Sequence, residues 1–182
     1  RLPRAAPFEP GASVPLRGAE HGTMHVPDAR GVAWVARVGG APFVCVAGRR
    51  EHFARRLADF LKREARRDVE AAVARHAGAL GMRPAGVSIR DTRSRWGSCS
   101  HGGALNFSWR LILAPPFVLD YLCAHEVAHL AHMDHSARFW ALTRRLCPRT
   151  DEAEAWLRVN GSALHRFGAQ DGEEPADGGA VD

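Results

Sequence analysis

The stretch HEVAHLAHMDH, residues 125–135, decides how this chain is read, because it sets His125 and His129 four residues apart. On a helix the two lie about 40° apart in azimuth and roughly 6 Å apart along the axis, so both imidazoles reach one metal ion. Glu126 lies beside the pair and not in line with it, which suits a carboxylate that takes a proton from an attacking water without ligating the metal. Ten His and ten Glu in 182 residues yield H-E-x-x-H somewhere by chance with a probability of about 3%. Four of the ten His fall within these eleven residues, so accident is a poor account.

A catalytic zinc site takes three protein ligands and keeps one position open. His135 is the best-placed third ligand, since it follows Met133 and Asp134 and precedes Ser136, a natural helix cap, where the chain can turn back. His132 is nearer in sequence, but on a continuing helix it lies about 300° around from His129. Glu152 and Glu154 are weaker alternatives, and His132 then reads as solvated or as a support behind the ligands. Tyr121 shares the helix side of His125, with core packing favoured over a role in stabilising an oxyanion.

Working outward, Pro115 and Pro116 open the helix that carries these residues, expected over 117–131. Ser136 caps a second helix that ends before Cys147-Pro148, and Thr150 with Asp151, Glu152 and Glu154 begins a third that Asn160-Gly161 is expected to close. Upstream, residues 87–91 and 104–112 read as strands flanking SRWGSCSHGG, a hairpin with an aromatic residue in its approach. Before them, Phe53, Leu57, Phe60, Leu61, Val69, Ala72, Val73 and His76 recur at helical spacing, which predicts one long amphipathic helix over 49–79. Residues 31–38 and 42–47 form a further hairpin about Gly39-Gly40-Ala41.

Residues 1–30 are rich in Pro, Gly and Arg and are expected to be a poorly ordered lead-in with room for one short strand. A single domain is expected over 31–167, followed by an acidic disordered tail over 168–182. The resulting class is α+β: a small β-sheet, a long N-terminal helix, a metal-binding helix and C-terminal helices.

Composition narrows the function. A mean hydropathy of -0.25 and the lack of an apolar run near 18 residues exclude a spanning helix, so no membrane partner is expected. The four cysteines, Cys45, Cys99, Cys123 and Cys147, have no paired spacing, which argues against a thiolate zinc site and suits a reducing, cytoplasmic setting. No charged segment followed by an apolar core and a small-residue cleavage site opens the chain. The net charge is +5, yet the last fourteen residues hold five acids and no base, leaving +10 on the remainder. A body that basic can associate weakly with DNA.

RWGSC at 95–99, Leu105-Asn106, WRLI at 109–112, Pro115-Pro116, HEVAHL at 125–130 and HSARFW at 135–140 together resemble the YgjP-like metallopeptidases, relatives of the SprT and Wss-type zincins. The similarity covers about residues 86–160, and the N-terminal hundred residues follow the pattern only loosely. It implies a minimal zincin-like domain that hydrolyses peptide bonds in a protein or peptide substrate, with Zn2+ on His125, His129 and His135 and Glu126 as general base. It also implies that the hairpin strand beside the metal helix aligns the substrate. The step from His129 to His135 equals that of metzincins, but His132 stands where they have a helix-breaking Gly, and no Met-turn segment follows.

Three further residues belong to this expected substrate groove: Trp96, Asn106 and Arg95. Each has a plainer reading, namely a ring buried under the hairpin, a polar group serving its neighbours, and a solvated strand face shared with Arg93. The competing function is a nucleic-acid-associated binding module with a structural or vestigial zinc. Its support is the basic run Arg49, Arg50, Arg55, Arg56, Lys62, Arg63, Arg66 and Arg67, although interspersed Glu51, Asp59 and Glu64 favour an ion-paired solvated face.

Overall fold

The apolar positions of the basic run do fall on one stripe, and the helix they make organises the molecule. In a computed structural model that describes residues 4–169, α1 spans Phe53–Leu80 and buries Phe53, Leu57, Leu61, Val69 and Val73 along one face. It follows a 3-10 turn at Arg50–His52 and ends where Gly81 takes φ 63° and donates its N–H to the carbonyls of Ala77 and Gly78, a left-handed cap. Its solvent face is laced with ion pairs, Arg55 to Asp59, Arg66 to Glu70 and Arg67 to Glu64. Each such pair contributes little to stability, about 0.3–0.5 kcal/mol, and together they engage three of the helix's seven basic residues.

A four-stranded sheet lies against α1 in the order β1-β2-β4-β3, with β1 at Ser13–Leu16, β2 at Ala19–His25, β3 at Ala33–Val38 and β4 at Ala41–Val46. The expected hairpin is the antiparallel pair β3–β4, while β2 and β4 run parallel. The lead-in, expected to be poorly ordered with room for one short strand, instead supplies two, β1 and β2, as an antiparallel pair. Val14 and Leu16, on alternate positions, bury their side chains in the one core that also takes in Phe8 and Phe167. The Arg17-Gly18 turn is then pinned by N–H donation to the carbonyls of Ile112 and Leu113, and Arg17 reaches Glu64 and Asp68 on α1, each at 2.7 Å. Four residues with a proline among them carry too short an alternation to stand out in sequence.

The second sheet has the order β5-β7-β6, from β5 at Gly86–Arg90, β6 at Gly97–Cys99 and β7 at Ala104–Ser108. Two expectations are corrected here. The flanking strands do not pair as a hairpin: β5 runs parallel to β7, and the antiparallel partner of β7 is β6, formed from the intervening segment. The strand expected over 104–112 stops at Ser108, whose hydroxyl accepts the Arg110 N–H and starts a 3-10 turn, Trp109–Leu113, with all five residues buried. A short apolar run reads alike in either conformation, so tertiary burial decides.

Arg110 in that turn is a charge buried almost completely, 1% exposed. It pairs with Asp91 at 2.5 Å, donates twice to the Phe167 carbonyl and lies 4.5 Å over the Trp109 ring. Burial works to raise the Asp91 pKa, but the hydrogen bond and charge of Arg110 hold it below the usual carboxylate value. Phe167 in turn bridges Ala6, so the lead-in and the segment after the last helix are tied at one place.

Three helices complete the fold: α2 at Pro116–Ala128, α3 at Ala137–Leu146 and α4 at Thr150–Leu164. Ser136 caps α3 as expected, its hydroxyl accepting from the Phe139 N–H at 3.3 Å. Helix α2 ends three residues earlier than expected, and α4 runs on through Asn160-Gly161, which do not close it. Gly161 lies against the Trp96 ring, where a Cβ would make an ordinary 3.4 Å contact. The expected tail lies outside the described residues from residue 170 onward.

His165, just past α4, is buried with neither ring nitrogen hydrogen-bonded among the described residues and its ring 4.8 Å from that of Trp96. Burial, followed by the charges of Arg110 and Arg93, lowers its pKa from 6.5 to about 4. Between those values the unfolded chain binds a proton that the folded chain refuses, so stability is full above about 6.5 and falls as the pH drops toward 4. Denaturant unfolding of the metal-free protein is expected to lose on the order of 1–2 kcal/mol between about pH 7 and about pH 5. A His165→Leu variant should lose less over the same range; an unchanged slope would assign the loss elsewhere.

Candidate metal centre

Helix α2 is buried on nearly every side, with residues 121–128 all inside the protein. Tyr121, His125 and Glu126 are therefore carried on a core element whose packing fixes their backbone. After Ala128 the chain turns tightly: the N–H groups of Ala131 and His132 both donate to the Ala128 carbonyl, and His135 comes back over the helix end. The ring nitrogens offered by His125, His129 and His135 all lie within 4.8 Å of one another, with the first two buried and His135 exposed.

The hydrogen bonds behind two of these rings choose their tautomers. His129 Nδ1 lies 2.9 Å from the His132 carbonyl, which can only accept, so Nδ1 carries the proton and Nε2 keeps its lone pair. His125 Nδ1 lies 3.2 Å from the Tyr121 hydroxyl, which donates to Glu154 Oε1 at 3.3 Å and so has a lone pair left for the Nδ1 proton. Burial, then the Glu154 charge, pushes the Tyr121 pKa well up and keeps the phenol protonated. Three imidazoles converging with two second nitrogens already engaged fit a divalent metal of intermediate softness. Phe139, buried on α3, stacks on His129 at 4.3 Å and meets the edges of His125 and His135 at 4.8 and 5.0 Å.

Glu126 is fully buried on α2, against Gly97 of β6. A Cβ at position 97 would stand 3.0 Å from Glu126 Cγ and Oε1, so a larger residue would press on the carboxylate that glycine lets the strand approach. Strand β6 is an edge of its sheet and packs against α2. Cys99 on the same strand has its pKa pushed up to about 11, by burial and by the nearness of Glu126.

The structure treats the three expected groove residues differently. Trp96 is 1% exposed, its ring wedged between His165 and Gly161, so it supports the strand from behind and does not line an open groove. Asn106, half-buried on β7, accepts from Arg90 Nε at 3.3 Å and donates to Ser98 Oγ at 3.4 Å, which links all three strands of the sheet. Arg95 is exposed at the entry to β6, beside half-buried Arg93. Of the alternative ligands, His132 contributes its carbonyl and Glu154 meets Tyr121. Gly97 and Phe139 stand within motifs quoted from the sequence, but no role at the site followed for them there. The glycine between Trp96 and Ser98, and the aromatic residue four positions after His135, are the signals that marked them.

Converging imidazoles beside a helical carboxylate are the equipment of a metal-dependent peptidase, and the comparison with known proteins agrees. A family model described as the YgjP-like metallopeptidase domain matches residues 1–160, so the chain belongs to the YgjP-like metallopeptidase family. That membership makes it a peptidase of a kind that works with a metal on protein substrates. The crystal structure of the metallopeptidase zymogen of Pyrococcus abyssi abylysin shares 24% identity at a TM-score of 0.45, covering 51% of this chain and 92% of that chain. No match is found among curated proteins. No helix among the described residues is long and apolar enough to cross a membrane.

Proposed function

We propose that this chain is a zinc-dependent peptidase of the H-E-x-x-H type, in which His125, His129 and His135 hold Zn2+ and Glu126 is the general base. The observation that carries this reading is the convergence of the three imidazoles next to a fully buried carboxylate that is pressed against an edge strand. Zinc bound by three imidazoles lowers the pKa of a water to about 7 and polarises a carbonyl.

The chain's own groups do the rest. Strand β6 offers the free edge of a sheet, to which an extended peptide adds by backbone hydrogen bonds, placing a scissile bond over the metal ligands. Glu126 takes the proton of the attacking water and delivers it to the leaving amine. Its burial excludes bulk water from that transfer, and Gly97 keeps the distance to the edge short. Arg95, at the approach to β6, is placed to meet an acidic or carbonyl group of the substrate. Trp96 and Asn106 hold the edge in place from behind and from the neighbouring strand. Weak DNA association is left to the exposed part of the basic body as a salt-screened contact outside the chemistry, and the four free cysteines fit a reducing cytoplasm.

Metal analysis by plasma mass spectrometry, followed by casein or self-cleavage assays before and after chelation, tests the reading. Stoichiometric zinc, with cleavage abolished by a chelator and restored by added Zn2+, is expected. No zinc in metal-replete protein would sink the proposal, and full zinc without any cleavage would favour the binding-module reading.

A further inference from the structure

Helix α4 reaches the centre through a carboxylate whose chemistry the peptidase reading does not use. The other acids of its first turns face solvent and take basic partners, Asp151 with Arg144 and Glu152 with Arg149. Glu154 is half-buried and has no basic partner among the described residues; its contact is the Tyr121 hydroxyl. Tyr121 is fully buried one turn before His125 and touches its Nδ1.

We propose that Glu154 is a positioning residue for the metal centre, acting through Tyr121 on His125. This rests on the zinc-site reading above. The carboxylate only accepts, so the Tyr121 proton is committed to it, and the phenol oxygen is left to accept the Nδ1 proton of His125. The chain of contacts fixes His125 in the tautomer whose Nε2 lone pair faces His129 and His135. It also sets the Glu154 charge on the far side of the imidazole from a divalent cation, where it strengthens the imidazole as a donor. Both links, at 3.2 and 3.3 Å, are long for hydrogen bonds to oxygen, so the effect belongs at the lower end of the tenfold-to-hundredfold range for such supports.

The experiment is a Zn2+ competition titration against a chromophoric chelator on wild type, Tyr121→Phe, Glu154→Gln and the double variant, with thermal unfolding of each metal-free protein. Each single variant is expected to bind Zn2+ about tenfold more weakly. The double variant should be no weaker than Tyr121→Phe alone, because Glu154 has no other route to the ligand. Glu154→Asp should fall between Glu154→Gln and wild type. A merely structural role would lower the metal-free melting temperature without this non-additivity in affinity. Wild-type affinity in Glu154→Gln, or additive losses in the double variant, overturns the proposal while leaving the zinc site standing. Wild type that takes up no Zn2+ overturns both. Should Tyr121→Phe fail to fold, Glu154→Gln and Glu154→Asp at their half-exposed position still decide the matter.

Discussion

Glu126→Gln is expected to lose at least ~10³-fold in kcat/KM on casein while holding its zinc as tightly as wild type. The substitution keeps the shape of the side chain and removes only its capacity to take a proton. Positioned acid–base groups contribute about 10²–10⁴-fold, and burial places this one toward the upper part of that range. No substitute base can move in, because Gly97 and the core side of α2 close around the carboxylate. Metal analysis and kinetics on the same preparation check both halves. Residual activity within tenfold of wild type would remove Glu126 from the chemistry, and lost zinc would make it a ligand.

The second large effect concerns His135, where sequence left two histidines in competition. His135→Ala is expected to weaken Zn2+ binding by roughly a hundredfold to a thousandfold, since apparent site energies of 10–16 kcal/mol shared by four ligands give about 3 kcal/mol each. The metal-free protein should unfold as wild type does, because His135 is exposed and leaves no cavity. His132→Ala keeps the carbonyl that accepts from His129 and is expected to bind zinc normally. The reverse pattern in the two titrations would hand the third position to His132.

What the sequence made legible follows from how local each signal is. His125, Glu126 and His129 sit within five residues on one helix, so helical geometry alone joins them. His135 needed a turn, and the cap at Ser136 announced one. Trp96 follows the plainer of its two readings, a buried ring, but its partners Gly161 and His165 were not legible, because they lie more than sixty residues away and no periodicity relates them. The same holds for Glu154, whose inward turn depends on how α4 packs on α2. Of strands β1 and β2, the sequence allowed for one short strand and not for the pair, for a related reason. Their alternation is short, and what stabilises them is burial of Val14 and Leu16 against elements far along the chain.

Strand β6 is three residues long and offers one open edge beside the carboxylate. A substrate that pairs with it must arrive already extended, and a strand still bonded to its own sheet, or a residue inside a helix, has no free backbone to give. The rate on a folded protein then scales with the fraction of time its cleavage segment is open. A target whose segment opens at a free-energy cost of about 4 kcal/mol would be cut roughly a thousandfold more slowly than the same segment in an unfolded chain. If peptides do pair with this edge, selectivity needs no recognition pocket, because the conformational stability of each target sets how often its segment is open.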